Sequence, residues 1–249
     1  MALLVERSDP PRPGPLTVLH FVWSVLWGTL WTALLAPGVI VHSAFRPGAR
    51  TLKPWMRVWG RLVLAGAGIR LRVEDRARLA PGQPVVFVAN HQNALDVVTA
   101  AVGVPYPFGY TAKAGLRRLP FVGAVLAHTA CVFVDRSTPR RAAQTLIEAG
   151  GRIREGDPVL VFAEGERSWS ATLRPLMRGA FLLAVEAGVP IVPVVLRGNV
   201  GVLDERRWAS RPGAVRVVVA EPIPTAGLTR ADVPALMEQV RGVLERTLR

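Results

Sequence analysis

The chain has 249 residues, of which 50% are hydrophobic, and a mean hydropathy of +0.30, which excludes a disordered chain and is high for a purely soluble domain. Lysine and arginine number 31 against 18 acidic residues, so the formal net charge is +13 and an anionic partner is expected, such as lipid headgroups, nucleic acid or a phosphorylated substrate. The single cysteine, Cys131, excludes an internal disulfide and a cysteine-cluster metal site, and its apolar surroundings predict a buried, inert strand residue.

Residues 16–41 form the first predicted element, an apolar segment without Asp, Glu, Lys or Arg. Because about 20 apolar residues suffice to cross the hydrocarbon core of a bilayer, this segment is long enough to span a membrane. Pro37-Gly38 interrupts it and predicts one helix of about 20 residues followed by a turn. A spanning helix and a hairpin that enters one leaflet both fit the pattern. A cleaved signal peptide fits poorly, since its apolar region is usually about 7–15 residues long.

The next segment is basic, with nine lysines and arginines against two acidic residues between positions 46 and 78. Such an excess places this flank on the cytoplasmic side of a membrane. Within it, residues 52–65 predict an amphipathic helix among anionic headgroups, with Lys53, Arg57 and Arg61 opposite an apolar side. A surface helix packed on the domain is the alternative. The apolar side consists of Trp55, Val58, Trp59, Leu62 and Val63.

From residue 71 onward, short apolar runs alternate with helical stretches, and each run is typical of a strand buried on both faces. This alternation predicts an α/β fold with a mixed, largely parallel sheet flanked by helices. We therefore divide the chain into a membrane-anchoring helical segment at residues 1–70 and an α/β domain at residues 71–249. The strands are predicted at 85–88, 131–134, 159–162, 191–196 and 215–219, and the helices near 94–102, 138–154, 176–187 and 232–248.

Several common catalytic motifs are absent from the sequence. It has no G-x-S-x-G elbow of serine hydrolases, no P-loop and no H-E-x-x-H zinc motif, so we expect no metal site. The basic residues lie beside the apolar segment and do not interleave with aromatic residues as in single-strand binders. We therefore expect membrane lipids, and no nucleic acid, as the anionic partner.

The loop after the first predicted strand of the domain carries polar residues, Asn90-His91-Gln92-Asn93-Ala94-Leu95-Asp96. In such sheets ligands bind at the carboxyl ends of the strands. If His91 lies in the loop and Asp96 in the first turn of the next helix, the carboxylate reaches the imidazole. It then stabilises the imidazolium that forms when His91 accepts a proton. No Ser or Cys stands nearby, so the nucleophile would be a hydroxyl of the substrate.

A second polar loop, residues 163–168, follows a later strand. Gly165 permits a sharp turn there, and the planar guanidinium of Arg167 suits a phosphate, although a solvated surface loop is the alternative. Two further segments, residues 113–136 and 178–194, complete a pattern of four ordered blocks. With these blocks the sequence resembles the glycerolipid acyltransferase family, specifically the 1-acylglycerol-3-phosphate acyltransferases.

The resemblance implies acyl transfer from an acyl thioester, on coenzyme A or acyl carrier protein, to the free hydroxyl of a lysophospholipid. It implies no metal and no bound cofactor, and it makes the α/β domain the catalytic domain, on the cytoplasmic face of the cytoplasmic membrane. By matched position, His91 is the general base and Asp96 its orienting partner, and backbone amides near His91 would stabilise the oxyanion. The acceptor phosphate would be bound by Lys113 and Arg167, with Arg136, Glu164 and Gly165 in the same blocks, while Asn90 and Gln92 flank the base and orient it or its substrate.

Two positions in the third block depart from the family pattern, because Ala163 replaces a proline and Glu166 replaces a threonine. Glu166 places a negative charge beside the expected phosphate ligand Arg167. Either Glu166 points away or the acceptor is not lysophosphatidate. The alternatives are an acyltransferase for another lysolipid, such as a lyso-ornithine lipid, and a catalytically silent lipid-binding homologue.

Overall fold

The computed structural model describes residues 13–118, 122–127, 131–134, 138, 140–141, 145 and 149–249. Its helices are α1 (Pro15–Phe45), α2 (Ala49–Gly66), α3 (Leu95–Gly103), α4 (Val122–Ala127), α5 (Gly150–Arg154), α6 (Gly179–Ala187), α7 (Asn199–Val202) and α8 (Val233–Leu248). Its strands are β1 (Ile69–Asp75), β2 (Val86–Ala89), β3 (Gly109–Lys113), β4 (Val132–Val134), β5 (Val159–Phe162), β6 (Ile191–Arg197), β7 (Leu203–Asp204), β8 (Ala209–Ser210) and β9 (Gly213–Val219). Short 3-10 turns lie at Ala114–Arg118 and Glu205–Arg207.

Seven strands form one sheet in the order β1-β9-β6-β2-β5-β3-β4, and of its described pairs β6–β9 alone is antiparallel. This confirms the predicted mixed, largely parallel sheet, and each of the five predicted runs is a strand. β7 and β8 form a separate antiparallel hairpin. Most of the helix predicted near 138–154 lies outside the described residues, which include its last turn as α5.

The sheet is covered on both faces by helices. The α6 and α8 helices pack with Val195 and Val218 on one face, whereas α2 and α3 pack with Val217 and Leu196 on the other. The central strand β2 has a neighbour on each side and is buried along its whole length. The loop after it therefore emerges at the carboxyl edge of a rigid sheet, between two covered faces.

The α1 helix continues through Pro37-Gly38 to Phe45, so the turn predicted at that dipeptide is wrong. Proline removes one helical hydrogen bond, but the residues beyond it are held by packing on α2. Val39 lies in the core with Leu52 and Met56, and Gly38 makes room for the ring of Trp55, since a Cβ at Gly38 would lie 2.6 Å from it. Among the described residues, α1 is the one helix long and apolar enough to cross a membrane.

The α1 and α2 helices form an antiparallel pair joined by four indole N–H groups. Each indole donates a hydrogen bond to the partner helix, so the tryptophans of α2 face α1 and the domain. This side of α2 is therefore packed on the rest of the protein, as the alternative to a helix among lipid headgroups predicts. The bonds run from Trp23 to Gly66 O, from Trp27 to Leu62 O, from Trp55 to His42 Nδ1 and from Trp59 to Thr32 Oγ1, at 2.8, 2.8, 2.9 and 3.0 Å.

The predicted basic side of α2 is correct for Arg57 and Arg61, which are exposed, and wrong for Lys53, which is 6% exposed. The Lys53 ammonium donates to the carbonyl of Ala101 at 3.0 Å and to that of Val104, so it satisfies carbonyls at the end of α3. Burial and, to a lesser extent, the charge of Arg57 lower the pKa of Lys53 from 10.5 to about 7. Lys53 thus fastens α2 to α3.

Replacing Lys53 with methionine is expected to flatten the pH dependence of the free energy of unfolding between about pH 7 and about pH 10. In the unmodified chain the unfolded state holds the Lys53 proton up to a pKa of 10.5, whereas the folded state releases it near 7. Stability therefore rises with pH across this window, because the unfolded state binds more protons. Thermal unfolding of the detergent-solubilised protein measures the slope. Arg61→Met, an exposed change on the same helix, is the control, and equal slopes for Lys53→Met and the unmodified chain would contradict the prediction.

Candidate functional site

His91 and Asp96 meet in the loop between β2 and α3, as the H-x4-D spacing predicts. Asp96 lies in the first turn of α3, and its Oδ2 is 2.8 Å from His91 Nδ1. The imidazole stacks on the ring of Phe162 at the end of β5, with ring centroids 4.0 Å apart and planes 16° apart. With Nδ1 held by Asp96 and one ring face covered by Phe162, Nε2 is the nitrogen left to meet a ligand.

The Asp96 carboxylate is fully buried and is surrounded by hydrogen-bond donors. Oδ2 also accepts from the backbone N–H groups of Gln92 and Asn93, the latter at 2.9 Å. Oδ1 accepts from the side-chain amide of Asn199 at 2.6 Å. These donors stabilise a negative charge on the buried carboxylate and hold the Asp96 side chain in one orientation.

The backbone N–H groups next to His91 are already engaged. The N–H of His91 donates to Glu164, those of residues 92 and 93 donate to Asp96, and that of Ala94 donates to Glu205 at 3.3 Å. The sequence suggested that amides near His91 stabilise an oxyanion. These four are committed to carboxylates, so an oxyanion donor has to come from another segment.

A cavity of about 880 Å³ opens beside His91. Apolar side chains of α1, α2, α3 and β3 line its interior, and charged side chains lie at its mouth. The cavity thus has an apolar part and a polar part, and the imidazole of His91 belongs to the polar part. Among the lining residues, Leu35, Val39, Trp55, Met56, Val97 and Cys131 belong to the apolar part, and His91, Lys113, Glu166 and Arg167 to the polar part.

Arg167 lies at the polar mouth and is held by two neighbours. Its Nη1 donates to Oε1 of Glu205 at 2.8 Å, and its guanidinium lies 5.5 Å from the ring centroid of Trp169. Lys113, at the end of β3, is exposed and lines the same cavity. The structure thus brings Lys113 and Arg167 to one rim. Arg136, predicted with them, lies outside the described residues.

Glu166 points to solvent at the rim. Its side chain is 79% exposed, and its Oε2 lies 3.5 Å from Nη1 of Arg174. Glu166 is thus solvated and close to Arg174, although it is one of the residues that line the cavity. A solvated carboxylate repels a bound phosphate weakly, because water screens it.

Glu164 does not line the cavity but fixes the backbone of the site. Its Oε1 accepts from the His91 N–H at 2.6 Å and its Oε2 from the Arg174 N–H at 2.7 Å. Burial raises the pKa of Glu164, although these two backbone donors oppose the shift. Gly165, next to it, has φ +74, and a Cβ there would lie 2.3 Å from the sulfur of Met177. The turn is thus restricted to glycine by conformation and by space.

Within the described residues, the side chains of Asn90 and Gln92 make no hydrogen bond to the His91 imidazole. The Asn90 side chain donates to Leu196 O at 2.9 Å and accepts from Leu196 N at 2.8 Å, so it joins the end of β2 to β6. Gln92 is 2% exposed, and its Oε1 has no hydrogen-bond partner within the described part of the chain. Asn90 therefore holds the start of the loop that carries His91.

Three residues of the site escaped the sequence analysis. Asn199 follows β6 and binds Asp96, Glu205 binds Arg167, and the side chain of Asn93 donates to Leu203 O at 2.8 Å. Asn199 is 103 positions away from Asp96 in the chain. The sequence could have identified Asn199 by its place shortly after the strand predicted at 191–196. The carboxyl end of that strand lies at the sheet edge where His91 was expected.

The acyltransferase family matches residues 70–197 of the chain. The human 1-acyl-sn-glycerol-3-phosphate acyltransferases beta and alpha are 36% and 38% identical to it, over 72% and 70% of this chain. Those matches span 65% and 62% of the human proteins, slightly less than two thirds of their length. The crystal structure of the 1-acyl-sn-glycerophosphate (LPA) acyltransferase PlsC from Thermotoga maritima has the same fold. It is 22% identical, with a TM-score of 0.78 over 94% of this chain and 95% of that one.

Replacing Glu164 with glutamine is expected to lower the free energy of unfolding by about 1–3 kcal/mol, because its NH₂ group would face a backbone N–H and leave one buried donor unpaired. Thermal unfolding measures the change. Glu166→Gln, in the same loop but exposed, is the matched control and should stay within about 0.5 kcal/mol of the unmodified chain. Equal destabilisation by both substitutions would show that the two backbone contacts of Glu164 are unimportant.

Proposed function

This chain belongs to the acyltransferase family, and from that premise we propose that it acylates the free hydroxyl of 1-acylglycerol-3-phosphate to give phosphatidate. The acyl group comes from a thioester, on coenzyme A or acyl carrier protein. The observation that carries the proposal is the His91–Asp96 pair at the junction between an apolar cavity and a cationic rim. A lysophospholipid and an acyl thioester each need an apolar volume, and the acceptor phosphate needs a cation.

In the proposed mechanism, Nε2 of His91 removes the proton from the acceptor hydroxyl as its oxygen attacks the thioester carbonyl. Asp96 stabilises the imidazolium and keeps the proton of the neutral ring on Nδ1. Collapse of the tetrahedral intermediate breaks the C–S bond, and the imidazolium returns the proton to the departing thiolate. No step requires a metal or a bound cofactor.

The cationic rim is the proposed binding site for the acceptor phosphate. Arg167 offers a planar fork that fits phosphate oxygens, and Lys113 adds a second charge across the mouth of the same cavity. By the family resemblance, Arg136 joins them. Glu205 and Trp169 restrict the motion of the Arg167 side chain, so less conformational entropy is lost when it binds phosphate.

The membrane supplies the acceptor and receives the product, and α1 is the proposed anchor. The helix contacts the domain near its start, where His20 Nδ1 is 2.7 Å from Ser210 Oγ, and near its end, where Val39 enters the core. A helix attached at both ends lies along the domain, which favours insertion into one leaflet over a perpendicular span. The basic residues of α2 support a location on the cytoplasmic face of the cytoplasmic membrane.

His91→Ala is expected to lower the rate of acyl transfer by about 100-fold to 10,000-fold, the usual contribution of a general base. Detergent-solubilised protein would be assayed with lysophosphatidate and a panel of other lysolipids, each with both thioester types. Glu238→Ala, on α8 with a side chain 78% exposed, is the control. Transfer to another lysolipid alone would move the function to that acceptor, and transfer by no combination would support a silent lipid-binding homologue.

Arg167→Gln is expected to lower kcat/KM for lysophosphatidate by about 10-fold to 100-fold, because a hydrogen bond to a charged group contributes about 1.5–3 kcal/mol. The loss should be much smaller for a lysolipid without a phosphate monoester. Arg230→Gln, at an exposed arginine paired with Glu186, is the matched control. An equal loss for both kinds of acceptor would rule against Arg167 as a phosphate ligand.

A further inference from the structure

The β7–β8 hairpin exposes a tryptophan at its turn. The Trp208 side chain is 66% exposed, more than any other tryptophan in the described residues. Its φ of +55° lies in the left-handed region, which bulky residues rarely adopt. A large apolar ring is thus held in an unfavourable backbone conformation at the surface, where most of it is available for a contact outside the domain.

The hairpin is attached to the first turns of α1. The ring of Trp208 meets that of Phe21 edge to face, with centroids 5.7 Å apart, and Ser210 is hydrogen-bonded to His20. The same part of α1 exposes Leu16 and Leu19, at 81% and 64%. The exposed apolar surface of α1 therefore continues onto the hairpin.

Positive charge accompanies the exposed ring. Arg206 and Arg211 lie on either side of Trp208 in the chain, and both are exposed. Tryptophan with flanking arginines suits the boundary between water and lipid, where the ring reaches the headgroup level and each arginine is attracted to an anionic surface.

We propose that the β7–β8 hairpin is a second membrane contact, separate from α1, and that its partner is a bilayer surface containing anionic phospholipid. Trp208 enters the headgroup region, and Arg206 and Arg211 bind lipid phosphates. This contact depends on the lipid surface and not on acyl transfer, so it holds whatever the acceptor of the enzyme is.

The contact also orients the site. Glu205, at the start of the 3-10 turn that leads to Trp208, accepts from Arg167 and from the Ala94 N–H. The carbonyl of Leu203 accepts from the side chain of Asn93. A hairpin fixed on the bilayer therefore fixes the rim of the cavity relative to the lipid surface.

The test uses the full chain in vesicles with and without anionic phospholipid, with a fluorophore on Ala209→Cys. Cys131 is buried, and burial raises the pKa of its thiol to about 12, so the introduced cysteine is the one that reacts. Nitroxide-labelled lipid and aqueous iodide are the two quenchers. Glu238→Cys, on α8 with a side chain 78% exposed, is the control position.

We expect lipid quenching and protection from iodide at position 209, more so in anionic vesicles, and the reverse at position 238. Adding Trp208→Asn should return position 209 to the behaviour of position 238, and Asn tolerates the left-handed conformation, so the variant should fold with an unchanged or higher Tm. Quenching at 209 that does not depend on Trp208 would overturn the proposal. Quenching by iodide at position 209 in vesicles would also overturn the proposal, and it would indicate that Trp208 contacts a protein partner.

Discussion

The buried carboxylate of Asp96 is the constraint on which the arrangement of the candidate site depends. A charge without solvent has to be surrounded by donors, and here these come from the loop after β2 and from Asn199 after β6. The geometry of His91 is a consequence, because the imidazole is one more donor to the same carboxylate. The loop, α3 and α7 thus surround one buried carboxylate, and the position of His91 Nε2 follows from it.

The sequence predicts those parts of the fold that are buried. The five predicted strands are short runs of apolar residues in a sheet that is covered on both faces, and such runs identify buried strands in the sequence. The β1 strand was missed because it is an edge strand with exposed arginines at Arg70 and Arg72, and β3 because Gly109–Lys113 mixes small, aromatic and polar residues. The turn predicted at Pro37 was wrong for a different reason, because packing on α2 outweighs the local preference of proline to end a helix.

Within the site, the sequence predicts the local pair and misses the distant support. The spacing between His91 and Asp96 is short, so one helical turn brings them together. Asn90 and Glu164 were assigned to orientation and acceptor binding, and their side chains form hydrogen bonds with backbone groups of Leu196, His91 and Arg174. No spacing in the sequence indicates these partners, because they become neighbours when β2, β5 and β6 align.

The α1 helix is a wall of the cavity, since Thr32, Leu35 and Val39 line it opposite the sheet. These positions therefore face the internal volume, whereas exposed residues of the same helix, such as Leu30 and Leu34, are the ones available to lipid. An unrelated membrane anchor grafted in place of α1 would still localise the domain, but the cavity would become an open trough. Under the proposed function, membrane attachment and substrate recognition depend on one helix, so a change that serves one of them also affects the other.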